Sequence, residues 1–271
     1  MKLQSYLKNK PHPILSVFLT PGIPTFTATE EIILKLENLG VDLIEIGIPF
    51  SDPLADGPII QASSSQAIEN GMTLKKLLDF VTGLKAKVKI PLLLMGYLNP
   101  IVCFGIDDFI AAIDRAGVAG VILPDLPFDE YQQKLADKFL AKNIAFIPLI
   151  APSTSDERIK EIDRHTQGFL YAVSTAMTTG QMTNSQQQKL SNTTHLSRLK
   201  NLELQNPTLI GFGIDSAKKA VEFAKNSQGV IVGSAFIEPL LANDLTRAFS
   251  LISEIRQALN TQDFNAGRGV L

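Results

Sequence analysis

The sequence predicts an α/β fold, a (β/α)8 barrel built as a single domain over residues 1–271. Three observations point there. Short apolar runs alternate with amphipathic helical patterns along the chain, there are eight such repeats, and 271 residues is near the ~250 typical of this architecture. An open doubly wound sheet carries fewer strands and a Gly-rich first turn. Here the first run ends in Phe18-Leu19-Thr20-Pro21-Gly22, which lacks G-x-G-x-x-G spacing.

The elements follow in order. A short extra helix precedes the first strand, 14–19; further strands are expected at 43–47, 91–95, 120–123, 145–149, 168–173, 208–211 and 229–232. Most are continuous apolar runs, as expected when helices cover one face and a barrel interior the other. Residues 30–39 carry Ile33, Leu36 and Leu39 on overlapping helical faces, and 244–259 carry Leu245, Phe249, Ile252 and Leu259 at helical spacing. Two connections are long. The one after the second strand has room for an extra helix at 59–69. The one after the sixth, 176–194, is almost devoid of aliphatic residues and reads as a lid or, on composition, a disordered or mobile segment. Residues 263–271 read as a frayed tail.

Composition narrows the function. Hydrophobic residues make up 45% and charged residues 19%, enough for a sizeable core. A net charge of −2 without a basic block argues against a nucleic-acid surface. One cysteine, Cys103, excludes an intramolecular disulfide and a thiolate metal cluster. The first ten residues lack the apolar core of a signal peptide, and no apolar run is long enough to span a bilayer, so a cytoplasmic location is expected.

In a barrel the strand carboxyl ends build the active site. Those positions hold Phe18, Glu45, Asp56, Tyr97, Asn99, Asp125, Tyr171, Thr179-Gly180, Gly211-Phe212-Gly213 and Gly233-Ser234. Glu45 stands out, because an ionised carboxylate inside an apolar strand costs several kcal/mol (order of magnitude) unless something compensates. It is either a buried ion pair or an acid–base group working with Asp56 on the loop above. Asp52-Pro53 and Asp56-Gly57 also suit ordinary turns, and Asp125 suits a loop-orienting role. The glycines after the seventh and eighth strands either make tight turns or let backbone N–H groups approach a phosphate, with Ser234 adding a hydroxyl. His12, His165 and His195 fall away from the strand ends, so no metal site is apparent, and no lysine stands where a Schiff-base aldolase needs one. A phosphorylated substrate handled by carboxylates remains.

These residues resemble a known family. The run from Glu45 to Gly57 is similar to the signature segment of tryptophan synthase α subunits, as are Leu94-Met95-Gly96-Tyr97, Pro124-Asp125-Leu126-Pro127, Gly211-Phe212-Gly213 and Gly233-Ser234-Ala235. The resemblance runs in order from Phe18 to about Ile237. It implies a TIM barrel that cleaves indole-3-glycerol phosphate to indole and glyceraldehyde 3-phosphate without a cofactor or metal. It also implies a β subunit that receives the indole, in an α2β2-type heterotetramer. By resemblance Glu45 and Asp56 are catalytic. Gly180, Gly213, Gly233 and Ser234, with Thr179 beside them, hold phosphate; Phe18, Ile60, Tyr97, Ile122, Tyr171 and Phe212 receive the rest of the substrate. Asp52 and Pro53 face the partner. Another phosphate-binding barrel, such as a phosphosugar isomerase, would have no need of Phe18, Tyr97 and Phe212; a barrel kept only to activate a partner would release no indole.

Two positions depart from the family pattern. A Gly-Asp-Pro turn is replaced by Gly22-Ile23-Pro24, which is expected to weaken that loop's hydrogen bonds. Met177 stands for a glycine in the segment Ser174-Thr175-Ala176-Met177-Thr178-Thr179-Gly180, making any positive φ there costly.

Overall fold

The computed structural model describes residues 2–173 and 195–261. Its strands are β1 (Ile14–Leu19), β2 (Leu43–Gly47), β3 (Leu92–Met95), β4 (Gly120–Ile122), β5 (Ala145–Phe146), β6 (Leu149–Ile150), β7 (Leu170–Ala172), β8 (Thr208–Ile210) and β9 (Gly229–Val232). They form one parallel sheet in the order β5-β4-β3-β2-β1-β9-β8-β7-β6. The two ends of that order are consecutive in the chain. Ile147 N–H donates to Val121 O at 2.9 Å, and Tyr171 N–H donates to Pro148 O at 3.0 Å. The expected fifth strand is therefore divided and runs on to Ile150, because Pro148 has no N–H to continue the ladder. Counted as one, β5 and β6 close an eight-stranded (β/α)8 barrel.

Alternation along the strands sorts the core into two layers. Leu43, Leu93, Ile122, Leu209 and Ile231 fill the barrel interior, while Ile44, Ile46, Leu94, Val121, Val230 and Val232 pack outward against the helices. The helix Leu3–Lys8 closes the amino-terminal end of the barrel with Leu3 and Leu7, and Tyr6 Oη donates to Asp42 O at 2.9 Å. The extra helix after β2 spans Pro58–Glu69, with Pro58 in its first turn, where a missing N–H costs nothing. The polar segment 176–194 with Met177, and the tail 263–271, lie outside the described residues.

The loop at Gly22-Ile23-Pro24 is held without a carboxylate. Ile23 is fully buried in the outer core, and the loop backbone is held from elsewhere: Gly22 N–H donates to Thr29 Oγ1 and Asn70 Nδ2 donates to Gly22 O, each at 3.0 Å. Gly22 has φ +95°, which a side chain would strain.

Candidate active site

Glu45 lies on the inward face of β2 and is fully buried. Ser16 Oγ donates to Glu45 Oε1 at 2.6 Å, while Oε2 has no partner among the described residues. The ion pair left open by the sequence is absent among those residues; the compensation is a single hydroxyl. Burial pushes the Glu45 carboxyl up to about 7, and the Ser16 hydrogen bond opposes part of that rise. Such a group exchanges protons near neutral pH.

Asp56 is half-buried on the loop after β2. Tyr97 Oη donates to Asp56 Oδ2 at 3.0 Å and accepts from Ala55 N–H at 3.0 Å. Burial raises Asp56 to about 6, against the lowering effect of that hydroxyl. The helix Pro58–Glu69 clamps the loop from below. Ser64 Oγ accepts from Phe50 N–H and donates to Phe50 O, both at 2.8 Å, and Gln61 Nε2 donates to Asp56 O at 2.9 Å.

A cleft of about 430 Å³ opens at the carboxyl ends of the strands. Strand order places its lining in sequence: Asp56 above β2, Phe18 on β1, Gly233 and Ser234 after β9, Phe212 and Gly213 after β8. A narrower recess beside it shares Phe18, Asp56, Ile60 and Met95, and adds Tyr97. Glu45 does not line the cleft. Its register partner Phe18 does, as does Tyr171, whose hydroxyl is raised well above its ordinary range by burial and then by the charges of Glu45 and Asp56. Glu45 thus adjoins the wall through Phe18 and Tyr171. Gly211 makes room for Tyr171, since a Cβ there would meet the ring at 2.2–2.3 Å.

The other end of the cleft suits an anion. Gly233 caps the helix Ser234–Leu241, whose first-turn N–H groups and dipole favour negative charge, and Gly213 at φ +64° leaves its backbone uncovered. No lysine or arginine lines the cleft among the described residues. Asp215, also on the wall, is ion-paired with Lys219 at 2.5 Å, which holds its carboxyl below the usual range.

The structure thus brings together Phe18, Asp56, Ile60, Tyr97, Tyr171, Phe212, Gly213, Gly233 and Ser234, with Glu45 adjoining. Ile122 packs in the barrel interior and reaches neither cavity; its register partner Met95 lines both. Asp52 is exposed, whereas Pro53 is buried and turned into the recess, leaving Leu54, 90% exposed, as Asp52's surface neighbour. Thr179 and Gly180 lie outside the described residues. Asn99 is exposed and lines neither cavity. Asp125 accepts Leu98 N–H at 2.9 and 3.0 Å and so caps a helix. Sequence reasoning missed Ser16, Gln61, Ser64 and Met95. Ser16 left a signal, as the only hydroxyl in the apolar run of β1 and at an inward position of its alternation.

The family model described as tryptophan synthase alpha chain matches residues 5–264. The tryptophan synthase alpha chain of Christiangramia forsetii is 44% identical over 248 residues, covering 90% of this chain and 94% of that one. The alpha chain of Bacteroides fragilis is 42% identical over 236 residues, covering 87% and 89%. Among solved structures, tryptophan synthase subunit alpha from Legionella pneumophila superimposes with a TM-score of 0.84 at 31% identity, over 96% of this chain and 99% of that one. A chain of aminoacrylate-bound tryptophan synthase from M. tuberculosis gives a TM-score of 0.82 at 28% identity, over 95% and 98%.

Proposed function

Since the chain belongs to the tryptophan synthase alpha chain family, we propose that its whole length acts as one barrel domain that cleaves indole-3-glycerol phosphate to indole and glyceraldehyde 3-phosphate. The observation that carries this reading is a cleft lined by Asp56, with buried Glu45 adjoining its wall and both carboxyls raised toward neutrality, that ends in a glycine-lined helix N-terminus.

The chemistry follows from those parts. Carbon–carbon cleavage needs the indole C3 protonated, so that the ring becomes an electron sink, and the side-chain hydroxyl deprotonated as the bond breaks. Glu45 in its protonated form, about half of the population at pH 7, gives its proton to C3 and takes one back from the hydroxyl, ending as it began. Asp56, ionised, accepts a hydrogen bond from the indole N–H and stabilises the positive charge that develops on the ring. Phe18, Ile60 and Phe212 enclose the apolar ring. Backbone N–H groups at Gly213, Gly233 and Ser234 hold the phosphate and fix the orientation of the reacting bond.

Free indole is apolar and leaks from an open cleft, so handing it to a docked β subunit belongs to the same proposal. Exposed Asp52 and Leu54, on the loop that carries Asp56, are the surface that would report cleft occupancy to it. The single cysteine suits a reducing, cytoplasmic compartment. Indole release by the purified chain, with and without a β subunit, tests the reading. Glu45→Gln and Asp56→Asn are each expected to abolish release in a folded barrel, and near-normal turnover by either removes that residue from its role.

A further inference from the structure

We propose that Ser16 is a positioning residue for this reaction: its hydroxyl holds Glu45 Oε1 and thereby assigns proton transfer to Oε2. The proposal rests on the reading that Glu45 carries the proton.

The geometry makes the assignment. Ser16 is fully buried on the inward face of β1, where the register pairs Ser16 with Leu43 and Phe18 with Glu45, so Ser16 and Glu45 are diagonal neighbours on one face. The hydroxyl donates to Oε1 at 2.6 Å, well within the O–H···O range. A carboxylate accepts at both oxygens, while a protonated carboxyl keeps one oxygen as an acceptor and carries the hydrogen on the other. Ser16 occupies Oε1 in both states. The proton therefore goes on and off Oε2, the oxygen with no partner among the described residues. One oxygen is anchored and the other reacts, so the carboxyl does not divide its proton between two sites.

The same bond sets where Glu45 titrates. A hydroxyl donates more strongly to the ion than to the acid, so Ser16 favours ionisation against the burial that opposes it. The other titratable group facing Glu45 is Tyr171 on β7, which is neutral, with Asp56 acting on that same tyrosine from the loop above. No cation pairs with Glu45 among the described residues. The serine is then the main polar influence on this acid.

Ser16→Ala tests the idea in the full chain. Glu45 works protonated, so the alkaline limb of the kcat profile for indole release belongs to it. Loss of the hydroxyl is expected to move that limb up by about one pH unit. The peak kcat should fall on the order of ten-fold with KM little changed. Infrared titration of the isotope-labelled Glu45 carboxyl reads the same shift without activity, and Ser16→Thr, which restores a hydroxyl, should return both values. A limb and a carboxyl band that stay in place in Ser16→Ala overturn the proposal. Should that variant not fold, Ser16→Cys offers only a weak S–H donor and decides the question by the same measurements. The two readings fail separately. Turnover by Glu45→Gln sinks the catalytic assignment, whereas an inactive Glu45→Gln beside an unshifted Ser16→Ala sinks only the serine.

Discussion

Replacing Tyr97 with phenylalanine removes one oxygen that serves both Asp56 and the loop carrying it. The hydroxyl donates to Asp56 Oδ2 and accepts from Ala55 N–H, each at 3.0 Å. A hydrogen bond to an ionised carboxylate contributes ~1.5–3 kcal/mol and one to a neutral group ~0.5–1.5 kcal/mol. The difference, about 1 kcal/mol, favours the ion and corresponds to somewhat under one pH unit. Without it Asp56 should titrate nearer 7 than the present value of about 6. The sign is fixed by the role. In the proposed role Asp56 acts ionised, so activity is lost as pH falls through its pKa, and raising that pKa moves the acid limb upward. At about pH 6.5 the ionised fraction falls roughly two- to three-fold, while well above neutrality it hardly changes. The ratio of variant to wild-type kcat, measured across pH, should therefore climb toward a plateau as pH rises. A ratio that is flat with pH refutes Asp56 as the group of the acid limb, whatever its absolute value. The loop also loses the acceptor for Ala55 N–H, worth ~1–2 kcal/mol of local stability and visible as faster amide exchange there.

Two further outcomes follow from burial and packing. The folded pKa of Glu45, about 7, stands above its ordinary 4.5, so ionisation opposes folding: stability is full below about pH 4.5 and is lost as pH rises toward 7. Glu45→Gln should therefore be the more stable protein at about pH 8, by up to about 3 kcal/mol in urea unfolding, with the gap closing near pH 4.5; a gap independent of pH contradicts the buried titration. Gly211→Ala places a Cβ 2.2–2.3 Å from the Tyr171 ring and must push that ring toward the cleft. A cost of ~1–3 kcal/mol in stability and a clear loss of kcat/KM are expected, and an unchanged melting curve with normal KM would show that the ring moves freely.

The barrel was legible because most strands, β1, β2 and β9 among them, are buried on both faces and their apolar runs are therefore continuous. Its one misread element has a local cause, the missing N–H of Pro148, which divides the fifth strand while the chain runs on to pair with β7. Site residues were legible where chemistry demands an unusual residue: a charge in an apolar strand, or glycines at two adjacent strand ends. Residues that act through shape or through another side chain left weaker marks. Ile122 and Met95 are both apolar and paired in register, so only the direction of the side chain decides that Met95 lines the cleft. Ser64 reads as one serine among three in a row, and its double bond to the Phe50 backbone exists only once the loop has folded over it.

The strongest argument that Glu45 serves reaction rather than architecture comes from its neighbour Asp42. The two acids stand three residues apart, Asp42 just before β2 and Glu45 at its middle, and both are buried. Asp42 is given the company that a structural charge requires: Arg256 Nη1 at 3.0 Å, Lys10 Nζ at 2.8 Å and the Leu15 N–H at 2.9 Å. Those bonds join the amino-terminal segment, β1, β2 and the helix Leu245–Thr261 at the closed end of the barrel, where Tyr6 also docks. Glu45 receives one neutral hydroxyl. Breaking a buried charge from its partners costs ~3–5 kcal/mol, so a chain that needs only a stable strand has reason to treat both acids as it treats Asp42. Leaving Glu45 without a cation lets burial raise its pKa toward neutrality, and a cation placed beside it would lower the pKa again. The stability forgone at pH 7 and the proton available at pH 7 are two consequences of the same missing partner.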